Sequence, residues 1–583
     1  MTGILDSLWR LLCKSPRLCL AALVAAQTAF MLNSRALWFS DEVRYADAYA
    51  GLLRGKWLVL NLNGVAYPDK PPLYFWFVWA LDKLSTLGDP AAFFLAAAAS
   101  GLLMVYATLS LGRVLGLRQE VCAGAGLVLL STLFFAGLMH YSRMDLLFSA
   151  LITASQAAFC LAFRPGAEAT RSRNATLALL LAGLATLTKG PLGLLFPVLT
   201  TLLFLVWRGR TREFFSRALL PGLLALVALV LSWVVAAYFI EGPGFLHKIF
   251  YEQIFQRATK TFHHAEPFYF YLVAFPPCWL PWTLALAALP VHRLAQTKFW
   301  RGLWAQRKNS AAESDAKAWL WFSAASGLGL LSLLSGKVVV YILPQLAPLA
   351  LLMAWALLDD GQPTSYQWSR LWTLAGLLFL ALAAVATQAE RFLPMPAALA
   401  GSGVISTPSP LPGVWPVAAC FALLGAALLL LRKQNARRVL PALALLVTLW
   451  IQPAGLLLAP ALDPIMSPKP QAMALKEYTA QGYLPVAHDI YQGIYSYYLG
   501  GVVTETNSYE ALEKLLAEQN VVLAIKKKKW DAWESRPAGL RIVLTQWLAG
   551  TTYHIAVSGA DAGTKNASPA DSCCKRPLLP PAP

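Results

Sequence analysis

Long apolar runs alternate with short polar segments over the first 460 residues of the chain. Each run is close to the roughly 17–25 residues that a helix needs to cross a bilayer. About thirteen such runs predict a mainly α-helical, polytopic membrane protein. The predicted spans are 17–34, 91–111, 121–139, 146–163, 174–188, 190–207, 218–240, 271–291, 318–335, 338–357, 371–388, 414–431 and 439–460.

The run 72–88 is aromatic and is interrupted by Asp82 and Lys83. We therefore expect a juxtamembrane helix that lies at the membrane interface. With the N-terminus inside, Lys and Arg concentrate in the inner segments, as the positive-inside rule requires. This orientation predicts a multi-pass protein of a bacterial inner membrane, in which loop 35–90 faces the periplasm. The basic start of the first run also resembles a signal peptide, but we expect an anchor.

The chain becomes more polar after residue 460, which divides it into three predicted regions. Residues 1–460 form the transmembrane domain, 461–557 a small periplasmic α/β domain, and 558–583 a disordered tail rich in Pro, Ala and Ser. Within the α/β domain, alternation and periodicity predict four strands and one helix. The strands are Val486–Tyr491, Tyr495–Val503, Val521–Ile525 and Arg541–Thr545, and the helix is Ser508–Gln519.

Composition excludes a soluble multidomain protein, since 57% of the residues are hydrophobic and only 13% are charged. The formal net charge of +18 does not indicate a nucleic-acid partner, because the basic residues lie in short clusters between apolar runs. Among the eight cysteines there is no C-x-x-C pair, so neither a disulfide framework nor a cysteine metal site is expected.

Ionisable residues are costly near a bilayer, so those at the predicted outer ends of the spans are candidates for function. Asp41 follows the first run directly, and on a helix it shares a face with Tyr45. Ser40 suits a helix N-cap, which explains the helix start but not the charged group after it. Lys70 precedes two prolines that stiffen its loop, and a lysine suits a phosphate oxygen. Each of these segments also has a purely structural interpretation. The residues from Ser40 onward can simply cap a helix, and Lys70 can be a lysine that extends its ammonium to the membrane interface.

Three further groups lie on the same predicted side. Asp145 either pairs with Arg143 or faces the same cavity as Asp41. Lys189 and Lys337 each interrupt apolar sequence, and Tyr341 follows Lys337 by one helical turn. The remaining group comprises Asp69, His263 and His264, which are weak candidates for a metal site.

Together these residues predict an outward-facing cavity with several cations, at least two acids and many aromatic rings. Cations bind phosphate through charge-assisted hydrogen bonds, and acids serve as bases or stabilise positive charge on a sugar ring. Because the sequence has no P-loop and no dinucleotide-binding G-x-G-x-x-G, a phosphorylated lipid of the outer leaflet fits better than a nucleotide. A transporter of lipid-linked sugars and a membrane scaffold are competing interpretations, but the polar residues collect on one face and no repeat is visible.

Six motifs of the chain resemble those of the protein O-mannosyltransferase-like branch of GT-C membrane glycosyltransferases in bacteria. The resemblance is strongest to the 4-amino-4-deoxy-L-arabinose (lipid A) transferases. It covers most of residues 1–360 in the same order and is weaker beyond. The motifs are DEVRYA at Asp41, PDKPPLYFW at Pro68, RMDLLF at Arg143, LTKGP at Leu187, HHAEPFYFY at His263 and SGKVVVYILP at Ser335.

The resemblance implies a GT-C fold with thirteen transmembrane helices and a sugar donor carried on undecaprenyl phosphate. By motif match, Asp41 is the main catalytic acid and Asp145 a second acid. The matched positions of the carrier-phosphate site are Arg44, Tyr45, Lys70, Lys189 and Tyr341, with His264 in a loop near the cavity. Lys337 is a phosphate-binding candidate from its position alone. The family usually has Glu where this chain has Asp69, which weakens the expectation of a metal there.

The function that follows is transfer of a sugar to a periplasmic-side acceptor, foremost 4-amino-4-deoxy-L-arabinose to a lipid A phosphate. A hexose transferase acting on another surface glycan or on protein is the alternative. The expected partners are membrane lipids, namely the polyprenyl-phosphate donor and a lipid A or glycolipid acceptor, and we expect a monomer. No cofactor is predicted, although a divalent metal is compatible with the motifs.

Overall fold

The computed structural model describes residues 2–256, 265–305, 307, 311–359, 366–392 and 404–559. The predicted fold class is confirmed, because the chain is mainly helical with a small C-terminal sheet. Every predicted span falls on helical structure. The main helices of this region are Thr2–Lys14, Pro16–Thr28, Ala91–Val114, Gln119–Leu130, Asp145–Ala162, Glu168–Lys189, Leu192–Arg208, Leu220–Glu241, Ala312–Leu333, Leu343–Leu358, Trp368–Ala386, Val414–Leu431 and Ala436–Pro453.

Within the described residues, seven helices are long and apolar enough to cross a membrane, and they account for seven of the predicted spans. Three further spans fall on shorter apolar helices, Pro16–Met31, Gln119–Leu130 and Leu192–Arg208. The spans 174–188 and 318–335 lie in helices of 22 residues that begin with charged turns. The chain is therefore a polytopic membrane protein.

The span 271–291 is not one continuous helix. The α-helix Phe270–Cys278 ends early, and the chain continues as the 3-10 turns Trp282–Ala287 and Val291–Ala295. Proline has no backbone N–H to donate and clashes with the preceding turn, so closely spaced prolines break the helix. Those prolines are Pro276, Pro277, Pro281 and Pro290.

Three short elements follow the first helices and form the loop layer. They are the helix Asp41–Leu53, a two-stranded hairpin and the helix Leu73–Ser85. The hairpin pairs β1 (Asn61–Leu62) with β2 (Val65–Ala66). Its turn has positive φ angles at Asn63 and Gly64, which these residue types tolerate. The helix Leu73–Ser85 corresponds to the predicted juxtamembrane helix.

A six-stranded mixed sheet forms most of the C-terminal region in the described part of the chain, with strand order β3-β7-β8-β6-β4-β5. β4 runs parallel to β5 and β6, whereas β8 runs antiparallel to β6 and β7. The strands are β3 (Val404–Ile405), β4 (Leu484–His488), β5 (Thr504–Thr506), β6 (Val521–Lys526), β7 (Leu540–Leu548) and β8 (Thr551–Ser558), and the flanking helices include Lys469–Ala480 and Tyr509–Glu518.

Two details of the predicted α/β region need correction. The segment Tyr495–Val503 is not a strand but contains the short helix Ser496–Leu499, which ends at Gly500 with φ +77°. Its aromatic residues favour a strand by propensity, but Tyr495 is instead buried in a core shared with the loop layer. The strand β8 was not predicted, and the proposed tail from residue 560 onward lies outside the described residues.

The two faces of the sheet pack against different partners. Successive residues of a strand point to opposite faces. On β6, Val521, Leu523 and Ile525 pack in one core with Trp530, whereas the alternate residues of that strand pack in a core that also contains the loop layer. This second core joins the C-terminal sheet to the helices that carry the candidate site.

Small residues allow close helix packing in the membrane region. At Gly376 an added Cβ would lie 2.9 Å from the carbonyl oxygen of Gly425, on the neighbouring helix. Likewise, a Cβ added at Gly425 would lie 2.7 Å from the carbonyl oxygen of Gly376. The two helices therefore meet through their backbones at this pair.

We predict that Gly376→Leu forces the helices Trp368–Ala386 and Val414–Leu431 apart and lowers stability by about 1–3 kcal/mol. Thermal unfolding in detergent measures the loss. Gly329→Leu is the matched control, because an added Cβ at Gly329 meets no atom within 4 Å. Equal melting temperatures for the two variants would contradict the packing argument.

Candidate active site

The site begins with a buried ion pair at the start of the helix Asp41–Leu53. Arg35 donates to both carboxylate oxygens of Glu42, at 2.7 and 2.9 Å. Both side chains are almost fully buried, at 6% and 0% exposure. The Arg35 guanidinium also stacks on Trp38, 4.0 Å from the ring centroid. A buried pair of this kind is stable only when its remaining polar atoms are satisfied.

Hydrogen bonds from the backbone complete this pair and connect two distant segments. Glu42 accepts from the backbone N–H of Trp38 at 2.8 Å and from that of Ser142 at 2.7 Å. Arg35 donates to the carbonyl oxygen of His140 at 2.8 Å. The start of the loop helix is therefore fixed against segment 140–142, which leads directly into the next charged residues.

Arg143 bridges the two acids that the sequence singled out. Its Nη1 lies 2.9 Å from Oδ2 of Asp41, and its Nε lies 3.0 Å from Oδ2 of Asp145. Both alternatives for Asp145 therefore hold, since it pairs with Arg143 and also shares a site with Asp41. Burial acts to lower the pKa of Arg143, but the two carboxylates outweigh it and raise the pKa above its ordinary value.

Lys189 extends the same network from the end of its helix. Its ammonium binds Oδ1 of Asp145, and it lies 4.2 Å from the ring centroid of Tyr341, a cation–π contact. Asp145 thus sits between two cations while Asp41 faces one. The chain of contacts runs from Asp41 through Arg143 and Asp145 to Lys189 and Tyr341.

Lys70 lies beside this network without joining it. Within the described residues its ammonium forms neither an ion pair nor a hydrogen bond. Burial lowers its pKa below the ordinary value, with Tyr341, Lys189 and Asp41 among the groups that act on it. A cation held in this way is available to an anion from outside the protein.

Arg44 and Tyr45 occupy the following turn of the loop helix. Arg44 donates to the carbonyl oxygen of Gln492 at 3.1 Å, and its guanidinium lies 5.5 Å from the ring centroid of Tyr67. Tyr45 is buried, 5.7 Å from the ring of Phe75 in an edge-on contact. The C-terminal region therefore contributes a wall of the site, which the sequence did not predict.

Lys337 has surroundings different from those expected of a phosphate-binding residue. It is buried at 4% exposure, and its ammonium donates to the backbone carbonyl oxygens of Glu266 at 2.8 Å and Leu334 at 2.5 Å. These bonds tie the turn after the helix Ala312–Leu333 to the segment before Phe270. The structure thus gives the Lys337 ammonium a role in supporting the fold, and phosphate binding by this residue stays a prediction.

The metal candidates receive no support from the described residues. That part of the chain contains no group of three or more His, Cys, Asp or Glu side chains able to hold a metal ion. His263 and His264 lie outside the described residues. Asp69 lies close enough to both Arg44 and Lys70 to influence their pKa.

Sequence reasoning missed the central position of Arg143 and the structural role of Glu42. Arg143 was considered only as a neutralising partner of Asp145, two residues away. Glu42 is not among the predicted site residues, and its partner Arg35 lies seven residues upstream. The sequence does show an arginine, Arg35, close to the acid Glu42. It does not show that both side chains are buried, which is what indicates a structural ion pair.

Comparison with known proteins shows what the chain is similar to. The family model described as dolichyl-phosphate-mannose-protein mannosyltransferase matches residues 69–238. The undecaprenyl phosphate-alpha-4-amino-4-deoxy-L-arabinose arabinosyl transferase of Pseudomonas aeruginosa is 31% identical over 360 residues, which are 61% of this chain and 62% of the relative. The protein of the same name from Aeromonas salmonicida is 32% identical over 367 residues, 61% and 63% of the two chains. The chain thus matches less than two thirds of the length of these relatives.

Similarity in fold to solved structures covers nearly the whole chain. ArnT from Cupriavidus metallidurans bound to undecaprenyl phosphate superposes with a TM-score of 0.68 at 18% identity, covering 96% of this chain and 99% of that one. The chain has the ArnT fold. The apo state of ArnT gives a TM-score of 0.69 at 19% identity, covering 94% and 97% of the two chains. The fold that the motif resemblance implies is therefore confirmed.

We predict that Glu42→Gln lowers the free energy of unfolding by about 3–5 kcal/mol, because Arg35 is left as a buried charge without a partner. Thermal unfolding of the purified protein measures this loss. Asp41→Asn is the matched control on the same helix, and its smaller loss reflects a side chain that is 22% exposed. A smaller loss for Glu42→Gln than for Asp41→Asn would show that the buried pair does not hold the site.

Proposed function

We propose that the chain is an inner-membrane glycosyltransferase that moves a sugar from an undecaprenyl-phosphate carrier to an acceptor on the periplasmic side. The acceptor and sugar we favour are a lipid A phosphate and 4-amino-4-deoxy-L-arabinose. The names of the matched relatives and the ArnT fold support this choice.

The observation that carries the proposal is the ammonium of Lys70. It is a cation without a partner among the described residues, next to Tyr341 and to the network of Asp41 and Lys189. A polyprenyl phosphate whose tail lies in the outer leaflet brings its head group to the ends of the helices. We assign Lys70 to that phosphate, with Arg44 as a second cation on the loop helix.

The reaction forms a bond between an acceptor oxygen and the anomeric carbon, and breaks the bond between that carbon and the carrier phosphate. The leaving phosphate gains negative charge, which fixed cations stabilise. Lys70 and Arg44 stabilise this negative charge directly. Lys189, which lies beside Tyr341, adds to the positive potential at the site. Because Lys189 is already bound to Asp145, its charge is less available than that of Lys70.

The acceptor decides what Asp41 does. A lipid A phosphate is already anionic and needs no base, so Asp41 orients the acceptor or stabilises positive charge on the sugar ring. A hydroxyl acceptor must lose its proton, and Asp41 then acts as the base. In both cases Arg143 holds the carboxylate in place.

The matched family model, whose description names a mannosyltransferase acting on protein, favours one alternative. In that case the donor is a polyprenyl-phosphate hexose and the acceptor is another surface glycan or a protein. Mass spectrometry of lipid A and surface glycans, with and without this protein, separates the two. Loss of a pentosamine from a lipid A phosphate supports the favoured acceptor, whereas loss of a hexose elsewhere supports the alternative.

We predict that Lys70→Ala lowers the rate of transfer by about 10²–10³, the usual effect of removing one charge-stabilising contact. Asp41→Asn is expected to abolish transfer, and both variants keep normal abundance. The measurement is sugar transfer from a synthetic lipid-linked donor in detergent, together with protein level.

Lys83→Ala is the matched control, since Lys83 is an exposed lysine of the neighbouring helix Leu73–Ser85. It is expected to transfer sugar at the wild-type rate. Near-normal transfer by Lys70→Ala would remove Lys70 from the phosphate site, and the same result for Asp41→Asn would remove the acid from catalysis.

A further inference from the structure

A second polar cavity lies far from the candidate active site. It has a volume of about 1220 Å³ and is open to the surroundings. Its walls come from the ends of several helices and the loops that join them. The residues that matter most are Trp207, Arg208, Arg210, Arg301, Trp304 and Arg307.

Helix directions place this cavity at the opposite end of the bundle from Asp145. The helix Asp145–Ala162 starts at the active site and ends beside Pro165 and Gly166, which line the cavity. At about 1.5 Å per residue these 18 residues span about 27 Å. The helix Leu192–Arg208 runs the same way, since it starts just after Lys189 and ends at the cavity. The two sites are therefore separated by about the thickness of a bilayer core.

Two of the three acids that line the cavity are closely paired with arginines. Asp315 pairs with Arg208 at 2.5 Å. Glu213 pairs with Arg210 at 2.5 Å and with Arg171 at 2.8 Å. The third acid, Glu168, is 71% exposed and lies 3.7 Å from Arg171. The arginines that line the cavity still outnumber its acids.

Two arginines at the cavity have no carboxylate partner in the part of the chain that the structure describes. Arg307 donates its Nε to the carbonyl oxygen of Trp207 at 2.9 Å and stacks 5.4 Å from the ring centroid of Trp304. Arg301, on the helix Thr297–Ala305, forms no ion pair or hydrogen bond within the described residues. The rings of Trp207 and Trp304 meet edge-on at 5.4 Å. The cavity therefore offers two guanidinium groups that have no carboxylate partner within the described residues, beside a tryptophan pair.

We propose that this cavity binds the phosphate head group of an anionic phospholipid from the leaflet opposite the active site. Guanidinium groups recognise phosphate oxygens in a bidentate manner, and tryptophan favours the head-group region of a bilayer. Basic pockets between the ends of transmembrane helices are typical places for such lipids. The position at the helix ends selects a lipid over a soluble phosphate, because the acyl chains lie along the apolar surfaces of the same helices.

The test measures binding of phosphatidylglycerol to the purified full-length protein in a neutral detergent by native mass spectrometry. Phosphatidylcholine serves as the zwitterionic comparison and sn-glycerol 1-phosphate as the soluble one. Each arginine that contacts the bound head group is expected to contribute about fivefold to affinity, whereas a basic residue outside the cavity makes no such contact. Arg301→Gln with Arg307→Gln is therefore expected to bind phosphatidylglycerol about thirtyfold more weakly.

Arg432→Gln with Lys433→Gln is the matched control, because it removes two exposed positive charges. These residues lie near the Arg437–Glu120 ion pair, at the end of the helix Ala91–Val114 away from the active site. The control is expected to bind like the wild type. The single variant Arg301→Gln loses no contact within the described residues, and its expected effect is about fivefold.

Equal binding by wild type and the Arg301/Arg307 variant would overturn the proposal. So would equal binding of phosphatidylcholine, or a soluble glycerol phosphate that binds as tightly as the lipid. A thirtyfold loss confined to phosphatidylglycerol and to the cavity variant would support it.

Discussion

The buried ion pair between Arg35 and Glu42 is the constraint on which the candidate active site depends. Two charges removed from water are stable only when hydrogen bonds satisfy the rest of their polar atoms. Here the backbone N–H groups of Trp38 and Ser142 and the carbonyl oxygen of His140 do so. Because these groups come from both sides of the site, the pair fixes the loop helix against the start of the helix that carries Asp145.

The charges that face the substrate follow from this arrangement. Once the two segments are fixed, Arg143 lies between Asp41 and Asp145, and Lys189 completes the neutralisation of Asp145. Each acid is thereby paired with a cation in a place where an isolated charge would be costly. Lys70 takes no part in these pairs within the described residues, and in the proposed function its ammonium binds the incoming phosphate. Oriented, compensated charges of this kind stabilise a transition state without having to reorganise.

Most of the helices could be predicted, because the length of an apolar run is enough to identify a membrane helix. Two predicted spans are interrupted. The prolines of 271–291 break a helix that the apolar pattern favours, and 121–139 falls on two helices, Gln119–Leu130 and Leu133–Leu138. The C-terminal region was less predictable. Tyr495–Val503 has strand propensity, but the contact of the Ser496 hydroxyl with Asn63 at 2.8 Å belongs to tertiary structure.

The difference between sequence pattern and tertiary contact also explains which predicted site residues lie together in the structure. Asp41, Asp145 and Lys189 do meet, because an ionisable residue at the end of an apolar run has few ways to be satisfied except by another such residue. Lys337 looked equivalent in sequence, yet its ammonium is satisfied by backbone carbonyl oxygens. No pattern in the sequence distinguishes a lysine that binds carbonyl groups from one that faces a cavity.

The central claim is that Lys70 faces a water-filled pocket on the periplasmic side, with the arginine cavity on the other. The most direct measurement is labelling of Lys70→Cys and Arg301→Cys by a membrane-impermeant thiol reagent, in a background without native cysteines. We expect a cysteine at position 70 to react from the periplasm and to be protected by undecaprenyl phosphate. A cysteine at position 301 is expected to react only after the inner membrane is opened. Labelling of position 70 solely from the cytosol would contradict it.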